Sequence, residues 1–210
     1  MVINSSLLQA MHEKIASLAV IIIDESDKNT FQKDPDDPNE PNDPFRFNLF
    51  PAIDTIARQQ KVIMLAQAYN CQIFLIQHDK NFPQGDYCYN EDEMSHNWHA
   101  TKTSLRALLP QDTIVINKHN PNAFVGTNLE LKLKNQYKGA GIKNLVINGW
   151  AYNVCVAETV GVRVKKCEHF EQGLGAIQYK FTVMTSRYVF NGPPATWAEF
   201  SPRIHFHTHL

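Results

Sequence analysis

Cys155 stands where Asn148-Gly149-Trp150-Ala151-Tyr152-Asn153-Val154-Cys155-Val156 carries the chain from an apolar run into a segment with helical spacing. A thiol is a weak nucleophile until it ionises, and a helix N-terminus, where N–H groups point outward, favours the thiolate. Two more residues have the chemistry to complete a site. Asp24 ends the apolar run 18–23, and Lys118 ends the apolar run 113–117. A carboxylate, an amine and a thiol at one place can supply proton transfer, charge stabilisation and nucleophilic attack. Each also has a structural explanation: Asp24 as a turn cap, Lys118 as a solvated strand end, Cys155 as core. What favours chemistry is their joint placement, which depends on the elements that carry them.

Runs 18–23, 72–76, 113–117 and 144–148 are short, apolar and rich in β-branched residues, and read as buried strands. Run 181–185 is a fifth strand candidate interrupted by polar residues. Between them, 51–69, 128–138 and 153–166 carry apolar residues at helical spacing. Alternation of this kind predicts an α/β fold: a doubly wound, mainly parallel sheet flanked by helices. Ligands collect beyond the C-terminal strand ends of such sheets. Asp24, Lys118 and Cys155 would all face that rim.

The chain of 210 residues is read as one domain, residues 1–210. Twenty basic and 21 acidic residues nearly cancel, and no long basic run occurs, which argues against nucleic acid or an anionic membrane and for a small-molecule partner. Cys71, Cys88, Cys155 and Cys167 form no Cys-x-x-Cys pair, as suits reduced thiols in a cytoplasmic protein. The apolar run 18–23 is too short to span a bilayer, and nothing before it has the make-up of an export signal. An acidic, proline-rich stretch near 32–50 blocks regular structure and is read as a loop after the Asp24 strand, either a solvated excursion or a lid.

Three blocks in chain order resemble the isochorismatase-like cysteine hydrolases, the superfamily of nicotinamidases, N-carbamoylsarcosine amidase and isochorismatase. They are Ala19-Val20-Ile21-Ile22-Ile23-Asp24; the stretch from Ile116-Asn117-Lys118-His119 through Ala123-Phe124 to Gly126-Thr127-Asn128-Leu129; and Gly149 to Val156 with Thr159. The resemblance implies a catalytic triad of Asp24, Lys118 and Cys155. It also implies a cis peptide at Trp150–Ala151 and an oxyanion hole of the Ala151 and Cys155 N–H groups. In the implied mechanism Asp24 takes the Cys155 proton and Lys118 holds the charges. The thiolate attacks an amide-like carbonyl, protonated Asp24 serves the leaving amine, and water activated by the same carboxylate cleaves the thioester. A homo-oligomer and a pocket formed by Tyr152, Trp150 and Phe124 complete the expectation.

The departures bear on substrate. Asp24-Glu25-Ser26 replaces the frequent Asp-x-Gln, Tyr152 replaces a frequent threonine, and Thr185-Ser186 replaces a frequent Asp-Ala. Metal-using relatives carry Asp-x-His after the second strand; residues 77–82 do not, so no metal or other cofactor is expected, with Asp79, His96 and His99 the alternative ligand set. The terminal His205-Phe206-His207-Thr208-His209 alternates like a closing strand or an oligomer contact. The preferred reading is a hydrolase of a small amide, ureide or related carbon–nitrogen bond working through a covalent thioester. The alternatives are vinyl-ether hydrolysis, which needs a carboxylic acid and no covalent cysteine step, a catalytically silent metabolite binder, and a redox sensor pairing Cys155 with Cys167.

Overall fold

The computed structural model describes residues 6–24, 52–78, 103–135, 141–149, 155–162, 173–186, 189 and 204–207. In chain order the elements are α1 (Leu7–Lys14), a 3-10 turn (Ile15–Ser17), β1 (Leu18–Ile23), α2 (Ala52–Ala68), β2 (Gln72–His78) and α3 (Thr103–Arg106). There follow β3 (Ile114–Lys118), α4 (Leu129–Asn135), β4 (Asn144–Gly149), α5 (Ala157–Val160), β5 (Thr182–Ser186) and β6 (His205–His207). The acidic stretch near 32–50 lies outside the described residues. No helix among the described residues is long and apolar enough to cross a membrane.

The strands form one sheet in the order β3-β2-β1-β4-β5-β6, every pairing parallel. The chain builds outward from β1 through β2 to β3, then returns to the other side of β1 for β4. The order therefore reverses between β1 and β4, and their C-terminal ends bound the crevice where doubly wound sheets bind ligands.

Strand residues alternate between faces, so a run that is apolar at every position is stable only where both faces are covered. On one face Ala19, Ile21 and Ile23 pack with Leu145 and Ile147, under Leu129 and Leu133 of α4 and Val160 of α5. On the other, Leu18, Val20, Ile22 and Val146 pack with Leu7 and Met11 of α1 and Val62 and Ile63 of α2. Each such side chain contributes about 1.5–3 kcal/mol on burial, which makes β1 and β4, buried along their whole length, the rigid centre.

Several boundaries differ from the sequence reading. The run 113–117 is an edge strand rather than one buried on both faces: Val115 and Asn117 are exposed while Ile116 and Lys118 are buried. Helical spacing over 153–166 ends at Val160, because Gly161 turns left-handed at φ 95° and its N–H bonds back to the Ala157 and Glu158 carbonyls. Helix α1, which the strand-and-helix alternation above omits, starts at Ser6, whose Oγ accepts the Gln9 N–H at 3.2 Å. His205–His207 closes the far edge, with Ser186 opposite His207.

Candidate active site

Asp24 follows the last residue of β1 with φ 49°, a left-handed conformation that aspartate tolerates better than most residues. Its N–H still donates to the Ile76 carbonyl at 3.0 Å, so the residue is anchored to β2 where the chain leaves the sheet. Lys118 ends β3, opposite His78 in the ladder. Strand β2 separates it from β1, a span of roughly 10 Å at the usual strand spacing. The long lysine stem crosses that gap wholly buried, and Nζ lies 2.7 Å from Asp24 Oδ2 while donating to the Pro121 carbonyl at 3.0 Å.

Cys155 arrives from the other side of the switch point. Strand β4 ends at Gly149, whose φ of 130° and contact with β1 exclude any side chain: an added Cβ would sit 2.0 Å from the Ile23 carbonyl oxygen. The chain re-enters the described residues at Cys155, in a wide turn that leads into α5. One residue ties this turn to the lysine loop: Thr159 Oγ1 accepts the Ala123 N–H at 2.9 Å. The loop is further fixed by Asn122, whose Oδ1 accepts the Phe124 N–H at 3.0 Å and whose Nδ2 donates to the Leu174 carbonyl at 3.3 Å. Phe124, expected to line a pocket, is buried in the core with its ring against Tyr179 and Phe181.

His78 joins this group. Its Nε2 lies 4.0 Å from Cys155 Sγ and 3.5 Å from Asp24 Oδ2. Nothing in the sequence reading assigns it a role, because the apolar run stops at residue 76 and the strand itself reaches His78, at the same rim as Asp24 and Lys118. Read only for Asp-x-His, the segment hides it.

Burial sets the charges. It pushes the Cys155 thiol up to about 12; Lys118 pulls it back down, and Asp24 adds to the rise. Burial also works against the Lys118 ammonium, but Asp24 and Cys155 outweigh it and hold the lysine above its ordinary value. For His78, burial lowers the imidazole to about 4; Asp24 opposes this, and Lys118 and His119 add to it. The resting site thus holds a protonated thiol, a neutral imidazole and a charged lysine. Helix α5 has four residues, and desolvation of the sulfur prevails. Ionising Cys155 therefore requires a proton acceptor.

The donor atoms of Asp24, His78 and Cys155 all lie within 4.8 Å of one another, close enough to share a cation. The Lys118 ammonium beside the same carboxylate opposes one there. Asp79, His96 and His99 lie outside the described residues, as do Cys167 and the segment Trp150, Ala151 and Tyr152 to which the cis peptide, one oxyanion donor and most of the pocket were assigned.

The described geometry brings Asp24 and Lys118, at the ends of β1 and β3, together with Cys155 in the turn before α5. The fold is similar to that of an isochorismatase family protein from Burkholderia thailandensis, at 16% identity over 91% of this chain and 90% of that one, with a TM-score of 0.64. It is also similar to N-carbamoylsarcosine amidase from Thermoplasma acidophilum (16% identity, 92% of this chain, 98% of that one, TM-score 0.59) and to nicotinamidase from Bacillus subtilis (15%, 90%, 98%, 0.58). At such identities the likeness establishes the fold alone. A comparison with curated protein sequences gives no match. The Isochorismatase domain profile, however, matches residues 18–162, from the first residue of β1 to just beyond α5. Since that match spans more than half of the chain and takes in Asp24, Lys118 and Cys155, the chain belongs to the isochorismatase family.

Proposed function

We propose that the chain is a cysteine hydrolase acting on a small amide, ureide or related carbon–nitrogen bond through a thioester on Cys155. The observation that carries this reading is the buried Asp24–Lys118 pair, 2.7 Å between charged atoms, acting on the Cys155 thiol. A bare sulfur at about 12 is protonated at neutral pH, so attack needs a base, and Asp24 supplies one beside it.

The Cys155 proton passes to Asp24 as the sulfur bonds to the substrate carbonyl carbon. Lys118 stabilises the negative charge first on the Asp24 carboxylate and, as the proton moves, on the sulfur. The carbonyl oxygen becomes an oxyanion, received by the N–H groups of Cys155 and Ala151; each such donor typically contributes about 3–4 kcal/mol to the transition state. As the tetrahedral species collapses, Asp24 returns the proton to the leaving nitrogen. Water then releases the acyl group. Tyr152 and Trp150 are proposed to shape the pocket, and the whole chain to act as one domain in a homo-oligomer without a metal.

Vinyl-ether hydrolysis is the second reading, favoured by the same high value of the thiol, since there the sulfur keeps its proton and Asp24 donates one to the substrate. Mass spectrometry separates the two. Incubation with a panel of small amides and ureides is expected to leave an acyl group on Cys155, and Asp24→Asn to leave little or none. Failure to turn over that panel, with turnover of a vinyl ether and no adduct at any time, would favour the second reading.

A further inference from the structure

We propose that His78 is a fourth catalytic residue, the base that activates water for hydrolysis of the Cys155 thioester. The inference rests on the thioester reading above and assigns a step of it to a different group. Four side chains meet at the rim, but they differ in access: that of Lys118 is 0% exposed, that of Asp24 1%, and that of His78 15%. Asp24 is closed off from solvent, with Oδ2 held by Lys118. A water arriving from solvent meets the imidazole first, and Nε2 at 4.0 Å from Sγ stands beside the carbon that the sulfur would carry.

Burial keeps the imidazole neutral but weakens it as a base, and Asp24 works against that loss. An imidazole lowered to about 4 is neutral at physiological pH, so it can accept a proton, and the tautomer with hydrogen on Nδ1 leaves Nε2 to do so. Asp24 Oδ2, 3.5 Å from that nitrogen, favours the imidazolium that forms. In the step itself, a water oxygen bonds to the acyl carbon, one of its protons moves to Nε2, and the C=O pair moves onto oxygen. When that pair returns, the carbon–sulfur bond breaks with its electrons on sulfur. The imidazolium proton then passes to Cys155, restoring the thiol and neutral His78 as the acid product leaves.

The probe is p-nitrophenyl acetate, whose phenolate leaves without a proton donor, so acylation and deacylation separate in time. The wild-type chain, His78→Asn and His78→Gln are mixed with it, the phenolate burst giving acetylation and intact-protein mass giving loss of acetyl from Cys155. Deacetylation is expected to fall about 100-fold in whichever variant keeps the wild-type circular dichroism spectrum, with the burst changed less than about threefold. Hydroxylamine, a nucleophile strong enough to need no base, should close that gap; a structural defect would leave it open. Deacetylation at the wild-type rate in either variant, or a gap that hydroxylamine does not narrow, overturns the role of His78. A wild-type protein that takes no acetyl group on Cys155 overturns the thioester reading itself.

Discussion

Asp24 and Lys118 each make the other tolerable where they sit. A carboxylate and an ammonium this deeply buried need a partner of opposite charge, and removing one leaves the other uncompensated, at a cost of roughly 3–5 kcal/mol. Lys118→Met is therefore expected to lower the unfolding free energy by about that amount, and Asp24→Asn with Lys118→Met to recover part of it, as urea titration of the two variants would measure. Additive losses would contradict the pairing. For Cys155, a thiol at about 12 predicts that iodoacetamide labels it slowly at neutral pH without substrate, the rate rising about tenfold per pH unit below that value. A plateau near pH 7 would reveal a thiolate at rest. His78 gives a second pH dependence. Its folded value of about 4 lies below the ordinary 6.5, so its contribution is fully present above pH 6.5 and is lost as pH falls towards 4, where the unfolded chain binds a proton that the folded one excludes. Wild-type stability should drop by roughly 3 kcal/mol more across that window than the stability of His78→Asn. Parallel pH profiles would contradict it.

At the scale of elements, the site depends on where strands stop and how closely they approach. Gly149 lets β4 touch the end of β1, and Gly149→Ala would both strain a φ of 130° and force its Cβ into the Ile23 carbonyl. A loss of about 2 kcal/mol or more is expected from thermal or chemical unfolding, whereas an unchanged midpoint would mean that the approach is looser. Thr159→Val keeps shape but leaves the Ala123 N–H without its acceptor, at about 1–3 kcal/mol. These dependencies explain what sequence made legible. Asp24 and Lys118 could be read because each is a charge at the end of an apolar run, and β1 and β4 because burial on both faces demands apolar residues throughout. His78 could not, since a histidine ending one strand acquires meaning only when the sheet order sets β2 between β1 and β3. Nor could the burial of Cys155, which pushes its thiol up and which spacing alone does not show. Helix α1 was missed for a related reason, its apolar face being just Leu7, Ala10 and Met11 in eight residues.

Across the whole molecule, a sheet that winds outward from β1 in both directions gathers residues distant in sequence at one crevice. Asp24, His78, Lys118 and Cys155 come from the ends of β1, β2 and β3 and from the turn before α5. No single segment contains the chemistry, which is why the order of three short blocks was more telling than any one of them. Nearly balanced charge suits a small neutral substrate as readily as a charged one, so the identity of the substrate rests with the pocket and not with the long-range field. The central claim is that Cys155 forms the bond to substrate, and the most direct measurement is turnover of a small-amide and ureide panel by the wild-type chain and Cys155→Ala, with the adduct mapped by peptide mass spectrometry. The account predicts turnover and an acyl group on Cys155 in the wild type and neither in the variant; a Cys155→Ala protein that retains wild-type turnover would contradict it.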